Sequence, residues 1–359
     1  MRRGALAILL ISLVALFLLI RSVSTLLSLL FETAAADAIR CAELPSSNSV
    51  EQSPQVIPKI IHQTYINETI PERWVDAQQS CIELHPDYEY IFWTDEKARN
   101  FIAAEYSWFL ETFDGYDYAI QRADAIRYFV LAHYGGIYID MDNTCNRRLD
   151  PLLAFPAWLP RTVPTGISND AMGSIPQHPF FLRVIEALQG YDHHWPLPYI
   201  TVMYSTGPLF LSVLWKEYMH AHPSDANRIR ILMPDEYNRN SWSFFTHGIG
   251  NSWHGQDAPF IFWMGEHWVF LTLCAIILVC AAGFCLFRAG DRIRTIATTT
   301  GYRYRWMYTQ VPANHLSASP LSVLTWRRVR YVIPTLFGKA TSEVAEDPES
   351  ACELGHLKD

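Results

Sequence analysis

The run from Trp268 to Phe287, WVFLTLCAIILVCAAGFCLF, holds 20 residues without a charge, and no other feature narrows the fold of this chain as much. A helix needs roughly 20 predominantly apolar residues to cross a bilayer. Nothing in this run supplies a polar face for a helix at the surface of a soluble core, so it predicts a membrane span. A second apolar run, Gly4 to Ile20, follows Arg2 and Arg3, is closed by Arg21 and continues more weakly to Phe31. It reads as an uncleaved signal anchor. The rival is a cleaved signal peptide with Ala34-Ala35-Ala36 as its small-residue cleavage site.

Lys and Arg near the membrane ends set orientation. Arg2 and Arg3 precede the first run, and Arg288, Arg292, Arg294, Arg303 and Arg305 follow the second, so both termini are expected in the cytosol and the stretch from Glu32 to His267 in a lumen. The expected organisation is a cytosolic N-terminus and anchor (1–31), a lumenal stem (32–55), a lumenal domain (56–267), a second span (268–287) and a cytosolic tail, partly disordered (288–359). From Glu32 to His267 there are 15 Lys and Arg against 29 Asp and Glu, a formal charge of −14. Phosphate backbones need basic surface, which argues against nucleic acid as a partner. The sequon Asn67-Glu68-Thr69 fits a lumenal address. Three cysteines, Cys41, Cys81 and Cys145, fall in this stretch. An oxidising compartment allows one disulfide, with the pairing open.

Between the runs, a β-like stretch from Val56 to Thr64, a strand at Tyr90–Trp93, a helical spacing from Tyr118 to His133 and a short buried strand at Ile137–Ile139 alternate along the chain. This order predicts an α/β fold with a largely parallel sheet covered by helices. Ligands bind outside the carboxyl ends of strands in such sheets. At one such end stands GGIYIDMDNT, Gly135 to Thr144. Asp140 and Asp142 point the same way across a two-residue step, and two carboxylates so close repel unless a cation neutralises both. A hard divalent ion, Mg²⁺ or Mn²⁺, suits such oxygen donors. A plain turn is the structural alternative. Another is the nucleophile and acid pair of haloacid-dehalogenase-like phosphatases, but the downstream paired acids of that family are missing. Asp124 and Arg127, three apart, share one face of the preceding helix, as a solvated ion pair or as ligands for hydroxyl and phosphate groups. The diglycine Gly135-Gly136 reads mostly as a helix C-cap.

Six blocks in order, IPKIIHQTY, HPDYEYIFWTD, RADAIRYFVLAHYGGIYIDMD, SNDAMGSIPQHPFF, STGP and GNSWHG, resemble the DxD-containing glycosyltransferases of family 32 over about residues 56–260. The resemblance implies a GT-A-like nucleotide-sugar-binding domain. SNDAMGSIPQHPFF, YITVMYSTGPLF and a second span after SWHG are most similar to the fungal members that mannosylate inositol phosphorylceramide.

That resemblance implies a retaining mannosyltransferase of the Golgi membrane, with GDP-mannose as donor, inositol phosphorylceramide as acceptor and a separate regulatory membrane subunit. It also implies Asp140 and Asp142 as metal ligands for Mn²⁺ or Mg²⁺, with His254 as a third ligand or phosphate contact. Ser252 and Trp253 are expected over the diphosphate. His62, Gln63, Thr64, Trp93 and Asp95 sit at strand ends where this fold holds the nucleotide, with packing roles as the alternative for His62 and Trp93. Asn169 and Asp170 are expected on the donor-sugar or acceptor side, and Asp124 and Arg127 complete the catalytic set. Two other readings stay open: an α-1,6-mannosyltransferase acting on N-glycans, and a catalytically silent membrane subunit.

Overall fold

The computed structural model describes residues 31–32, 34–40, 43–44, 55–162, 165–248 and 255–275, with scattered positions before 31 and between 277 and 292. Ser252, Trp253 and His254, nearly all of the first expected span, part of the second and nearly all of the tail lie outside the described residues. Among the described residues no helix is long and apolar enough to cross a membrane. The chain divides into two compact units, Met1–Cys274 and Ala275–Asp359. The sheets and the candidate site belong to the first.

A six-stranded sheet forms its centre, built from β1 (Ile60–Tyr65), β2 (Glu89–Thr94), β3 (Gly136–Ile139), β5 (Ala157–Pro160), β6 (Ala171–Ser174) and β7 (Ile229–Leu232) in the order β2-β1-β3-β6-β5-β7. Only β6 runs against the others, antiparallel to β3 and to β5. The mostly parallel α/β arrangement expected from the strand–helix alternation is therefore present. Two short strands, β4 (Asn143–Cys145) and β8 (Phe245–His247), pair antiparallel in a separate sheet with Asn143 opposite His247.

Strand side chains alternate between faces, and the apolar residues divide accordingly. Tyr138, Ala157 and Leu159 join one cluster, Ile137, Ile139 and Trp158 the other. Helices α1 (Glu72–Leu84), α2 (Asp95–Glu105), α3 (Leu110–Gly115), α4 (Ala119–Tyr134), α5 (Pro179–Ala187), α6 (Pro198–Ser205), α7 (Pro208–His220) and α8 (Ala258–Glu266) complete the unit. Burial of α4 is nearly complete from Asp124 to Ala132. Gly135 caps it with φ 67°, and Gly136 follows at φ 90°. A Cβ on Gly136 would stand 2.7 Å from the Ile60 carbonyl oxygen, so β3 can lie beside β1 only with glycine there.

Two local features depart from or complete the sequence expectations. Residues 34–40, expected in the stem, pack beside β7: the Ile39 amide donates to the Ile231 carbonyl and the Ile231 amide to the Asp37 carbonyl, each at 2.8 Å. An otherwise unpaired sheet edge thereby gains backbone partners. The open cysteine pairing resolves to Cys81–Cys145, joining α1 to β4.

Candidate active site

The β3–β6 ladder continues one step past the strands, where the Asp140 amide donates to the Asp170 carbonyl at 2.7 Å. Asn143 then donates its amide to the Asp140 carbonyl at 3.1 Å, closing a tight turn. A turn is present, as the structural alternative required, yet both carboxylates line a cavity of about 870 Å³ at the carboxyl ends of β1 and β3. Thr64, Asp95, Asp124, Arg127, Asn169, Asp170 and His247 line it too.

Asp124 and Arg127 are each 3% exposed, so they are not a solvated surface pair. The Arg127 guanidinium lies 3.0 Å from Asp124 and 3.2 Å from Asp140, and donates to the Asn169 carbonyl at 2.7 Å. Asp124 accepts from the Asn169 side-chain amide and from the Thr206 hydroxyl, both at 3.0 Å. Tyr138 donates its hydroxyl to Asp140 at 2.7 Å. One arginine thus links α4 to the Asp-x-Asp turn and to the loop before β6. Its fork of donors is what such a three-way junction requires.

Asp170 accepts from the Tyr237 hydroxyl, which belongs to a π-helical turn at Asp235–Arg239, and lies 3.1 Å from Nδ1 of His247. Nε2 of the same imidazole is 3.8 Å from Asp142. The register of β4 on β8 brings His247 to this place, and the Gly248 amide donates to the Asp142 carbonyl at 2.7 Å. Sequence reasoning missed both Tyr237 and His247. The only signal was their nearness to the GNSWHG block.

Charge in this cluster is unevenly settled. Burial pushes the Asp140 carboxyl up to about 7, opposed by Arg127 and assisted by Asp142 and Asp170. Asp142 is raised as well, chiefly by burial. Burial would also raise Asp170, but the hydrogen bonds from His247 and Tyr237 hold it below the usual carboxylate range. Among the described residues no three His, Cys, Asp or Glu side chains form a ready-made metal cage. Magnesium-like ions are commonly held by one or two carboxylates, with waters and substrate phosphates completing the shell. Asp140 and Asp142 fit that pattern, and the buried Oδ1 of Asp170 has no hydrogen-bond partner in the structure.

Of the strand-end residues expected against a nucleotide, Thr64 and Asp95 line the cavity, whereas His62, Gln63 and Trp93 do not. His62 is fully buried, with Nε2 2.9 Å from the Gly135 carbonyl and Nδ1 accepting from the Trp93 indole at 3.2 Å. Trp93 packs on Phe101 with ring centroids 5.1 Å apart. Gln63 accepts from the Tyr90 hydroxyl at 2.8 Å and spans to the Asp140 carbonyl at 3.4 Å. These three hold the sheet behind the site: His62 shares a face of β1 with Thr64 but stands two residues deeper in the sheet, and Gln63 points to the opposite face.

Paired carboxylates that open onto a cavity are a donor set that could hold a divalent ion, with other ligands completing its shell. A family model described as the glycosyltransferase sugar-binding region containing DXD motif matches residues 71–158. The mannosyl phosphorylinositol ceramide synthase SUR1 of Saccharomyces cerevisiae is 53% identical over 242 residues, covering 67% of this chain and 63% of the relative. Inositol phosphoceramide mannosyltransferase 2 of Schizosaccharomyces pombe is 50% identical over 248 residues, covering 68% and 69%. The chain belongs to this family of DXD-containing glycosyltransferases, and it spans less than two thirds of the length of the Saccharomyces relative. Among solved structures the PaToxG glycosyltransferase aligns at a TM-score of 0.35 and 17% identity, over 48% of this chain and 74% of that one. That likeness is too distant to add to the fold described above.

Proposed function

We propose that the protein transfers mannose from GDP-mannose to the inositol of inositol phosphorylceramide, with retention at the anomeric carbon. The observation that carries this reading is the pair Asp140 and Asp142, held at the mouth of β3 with both carboxylates on an 870 Å³ cavity. The names of the relatives supply sugar and acceptor.

In the transfer the bond from the mannose anomeric carbon to the diphosphate oxygen breaks and one to an inositol oxygen forms. The acceptor proton passes to the departing phosphate. Asp142 and Asp140 would hold Mn²⁺ or Mg²⁺, whose bound charge stabilises the leaving diphosphate as a Lewis acid. Arg127 and the Tyr138 hydroxyl fix the Asp140 carboxylate, so that oxygen need not reorganise as charge moves. Asp124, clamped by Asn169 and Thr206, holds the Arg127 head at the sugar side of the cavity. No residue serves as covalent nucleophile in this scheme. Trapping a mannosyl adduct on Asp170 would overturn that part.

The reading extends to a Golgi membrane protein with two spans, cytosolic termini, a lumenal catalytic domain and a separate regulatory membrane subunit. The Cys81–Cys145 disulfide supports an oxidising lumen. The deciding experiment measures mannose transfer from GDP-mannose to inositol phosphorylceramide by the detergent-solubilised full chain, with Mn²⁺ and with chelator, beside Asp142→Asn. Metal-dependent product lost in the variant supports donor, acceptor and Asp142 together. Release of GDP and mannose without lipid product keeps the transferase and discards the acceptor.

A further inference from the structure

Helix α8 reads Ala-Pro-Phe-Ile-Phe-Trp-Met-Gly-Glu, apolar on nearly every side, yet only Ala258 in it is buried. Phe260 is 52% exposed and Trp263 44%. Their rings lie nearly parallel, 15° apart with centroids separated by 6.4 Å, and the Trp263 ring stacks in turn on His267 at 4.7 Å. Positions 260, 263 and 267 follow helical spacing, so the three rings form one outward stripe. Phe262 faces another way: it meets Tyr199 of α6 edge-on at 5.4 Å, and both line the cavity. The Tyr199 amide donates to the Asp257 carboxylate at 2.7 Å, which fastens the start of α8 to α6.

The cavity therefore has two kinds of lining. Acids and His247 come from α4 and the strand ends, while Tyr199 and Met203 of α6, Leu209 of α7 and Phe262 of α8 supply an apolar, helical lining that a diphosphate or a sugar does not need. A contiguous exposed apolar surface calls for a cover. The sequence just beyond α8 identifies the cover, since the uncharged 20-residue run begins at Trp268, immediately after the stripe. Tryptophan and other aromatics collect at the level where lipid head groups meet acyl chains.

We propose that α8 lies in the lipid–water interface with its Phe260–Trp263–His267 stripe against the bilayer, so that the apolar lining of the cavity opens toward the membrane and admits a lipid-linked acceptor laterally. The acceptor half of this statement rests on the function proposed above. The helix placement rests only on the membrane span expected from residues 268–287. A lipid whose head group enters along Phe262 and Tyr199 keeps its chains in the membrane while a hydroxyl reaches the carboxylates.

The test uses the full chain in phosphatidylcholine vesicles containing inositol phosphorylceramide, with two readouts. A fluorescent amino acid at position 260 is compared in vesicles with and without bromine on the acyl chains. Strong quenching by brominated lipid is expected, and equal fluorescence in the two overturns the placement, as does quenching replaced by cross-linking of position 260 between two copies. In the second readout, Phe260→Ser/Trp263→Ser is expected to raise the apparent KM for bilayer-presented acceptor roughly tenfold. Its metal-dependent hydrolysis of GDP-mannose in water and its melting temperature are expected to stay at wild-type values. Equal loss of transfer and hydrolysis, or no change in KM, overturns the entry route. If wild-type protein mannosylates no lipid, the proposed acceptor fails, and the quenching alone still decides where α8 lies.

Discussion

Nδ1 of His247 stands 3.1 Å from a carboxylate oxygen of Asp170, although the first belongs to the two-stranded sheet and the second to the loop before β6 of the central sheet. Asp170 also receives the Tyr237 hydroxyl, and Asp142 faces the other imidazole nitrogen. His247 is thus a positioning residue between two acids of the site. Groups that orient metal-binding acids typically change affinity or activity by roughly 10–100-fold when removed. His247→Ala is expected to lower transfer within that range and to raise the Mn²⁺ concentration for half-maximal rate, with His247→Gln retaining more. Metal titration of both variants checks this.

Asp142→Asn removes a charge from the pair that would hold the divalent ion. Loss of such preorganised charge stabilisation is expected to lower turnover by at least roughly 100-fold, with the protein still folded because Asp142 makes no buried ion pair beyond the distant imidazole. Chelation of wild-type protein should give the same loss. Product formation followed by mass spectrometry, beside a thermal melt, separates chemistry from folding.

Arg127 carries the opposite expectation, since it is buried and joined to two acids. Removing one partner of a buried ion pair leaves the other charge uncompensated and costs on the order of 3–5 kcal/mol. Arg127→Met should therefore lower the melting temperature and the activity together. Arg127→Lys should recover little, because an ammonium cannot reach Asp124, Asp140 and the Asn169 carbonyl at once. Calorimetry of the two variants is the measurement.

Stability should fall with acid through His62. Burial holds its imidazole down to about 4 in the fold, against an ordinary value near 6.5. The unfolded chain then binds the extra proton first, so this contribution is complete above about pH 6.5 and is lost as pH falls toward 4. For so buried a group the size is on the order of 3 kcal/mol. His178, also down to about 4 by burial, adds in the same direction. Asp140, raised to about 7, acts in the opposite direction over the same range, so the His62 share is read as a difference: between pH 7.5 and 4.5 the urea midpoint of His62→Gln should lose less, or gain more, than that of the wild type.

Reduction or Cys145→Ala is expected to loosen α1 from β4, the strand that follows the Asp-x-Asp turn. A native disulfide typically contributes roughly 2–5 kcal/mol. The shift in melting temperature with and without reductant reads it, and Cys145→Ala should remove the reductant effect.

Much of this architecture is visible along the chain. Helical spacing predicted α4 nearly to its ends, and β2 and β3 appeared as short runs of apolar and aromatic residues at their observed places, because burial imposes a period the sequence must carry. The Asp-x-Asp announced itself by two acids after an apolar strand. His247 did not, because a three-residue strand has no period to detect and its value comes from register against β4. Residues 34–40 looked like stem for a related reason: what holds them is the open backbone edge of β7, and backbone hydrogen bonds leave no mark on composition.

Local order therefore settled the α/β class, the position of the paired acids and the long uncharged run, since each depends on residues close together in sequence. Tertiary packing decided which of the neighbouring side chains reach the cavity. His62 and Trp93 are packed behind the site while Thr64 and Asp95 line the cavity, and Arg127 becomes a buried junction instead of a surface ion pair. The physical reason is that a side chain's chemistry depends on the partners and the solvent around it, and for these residues the partners arrive from distant strands and helices.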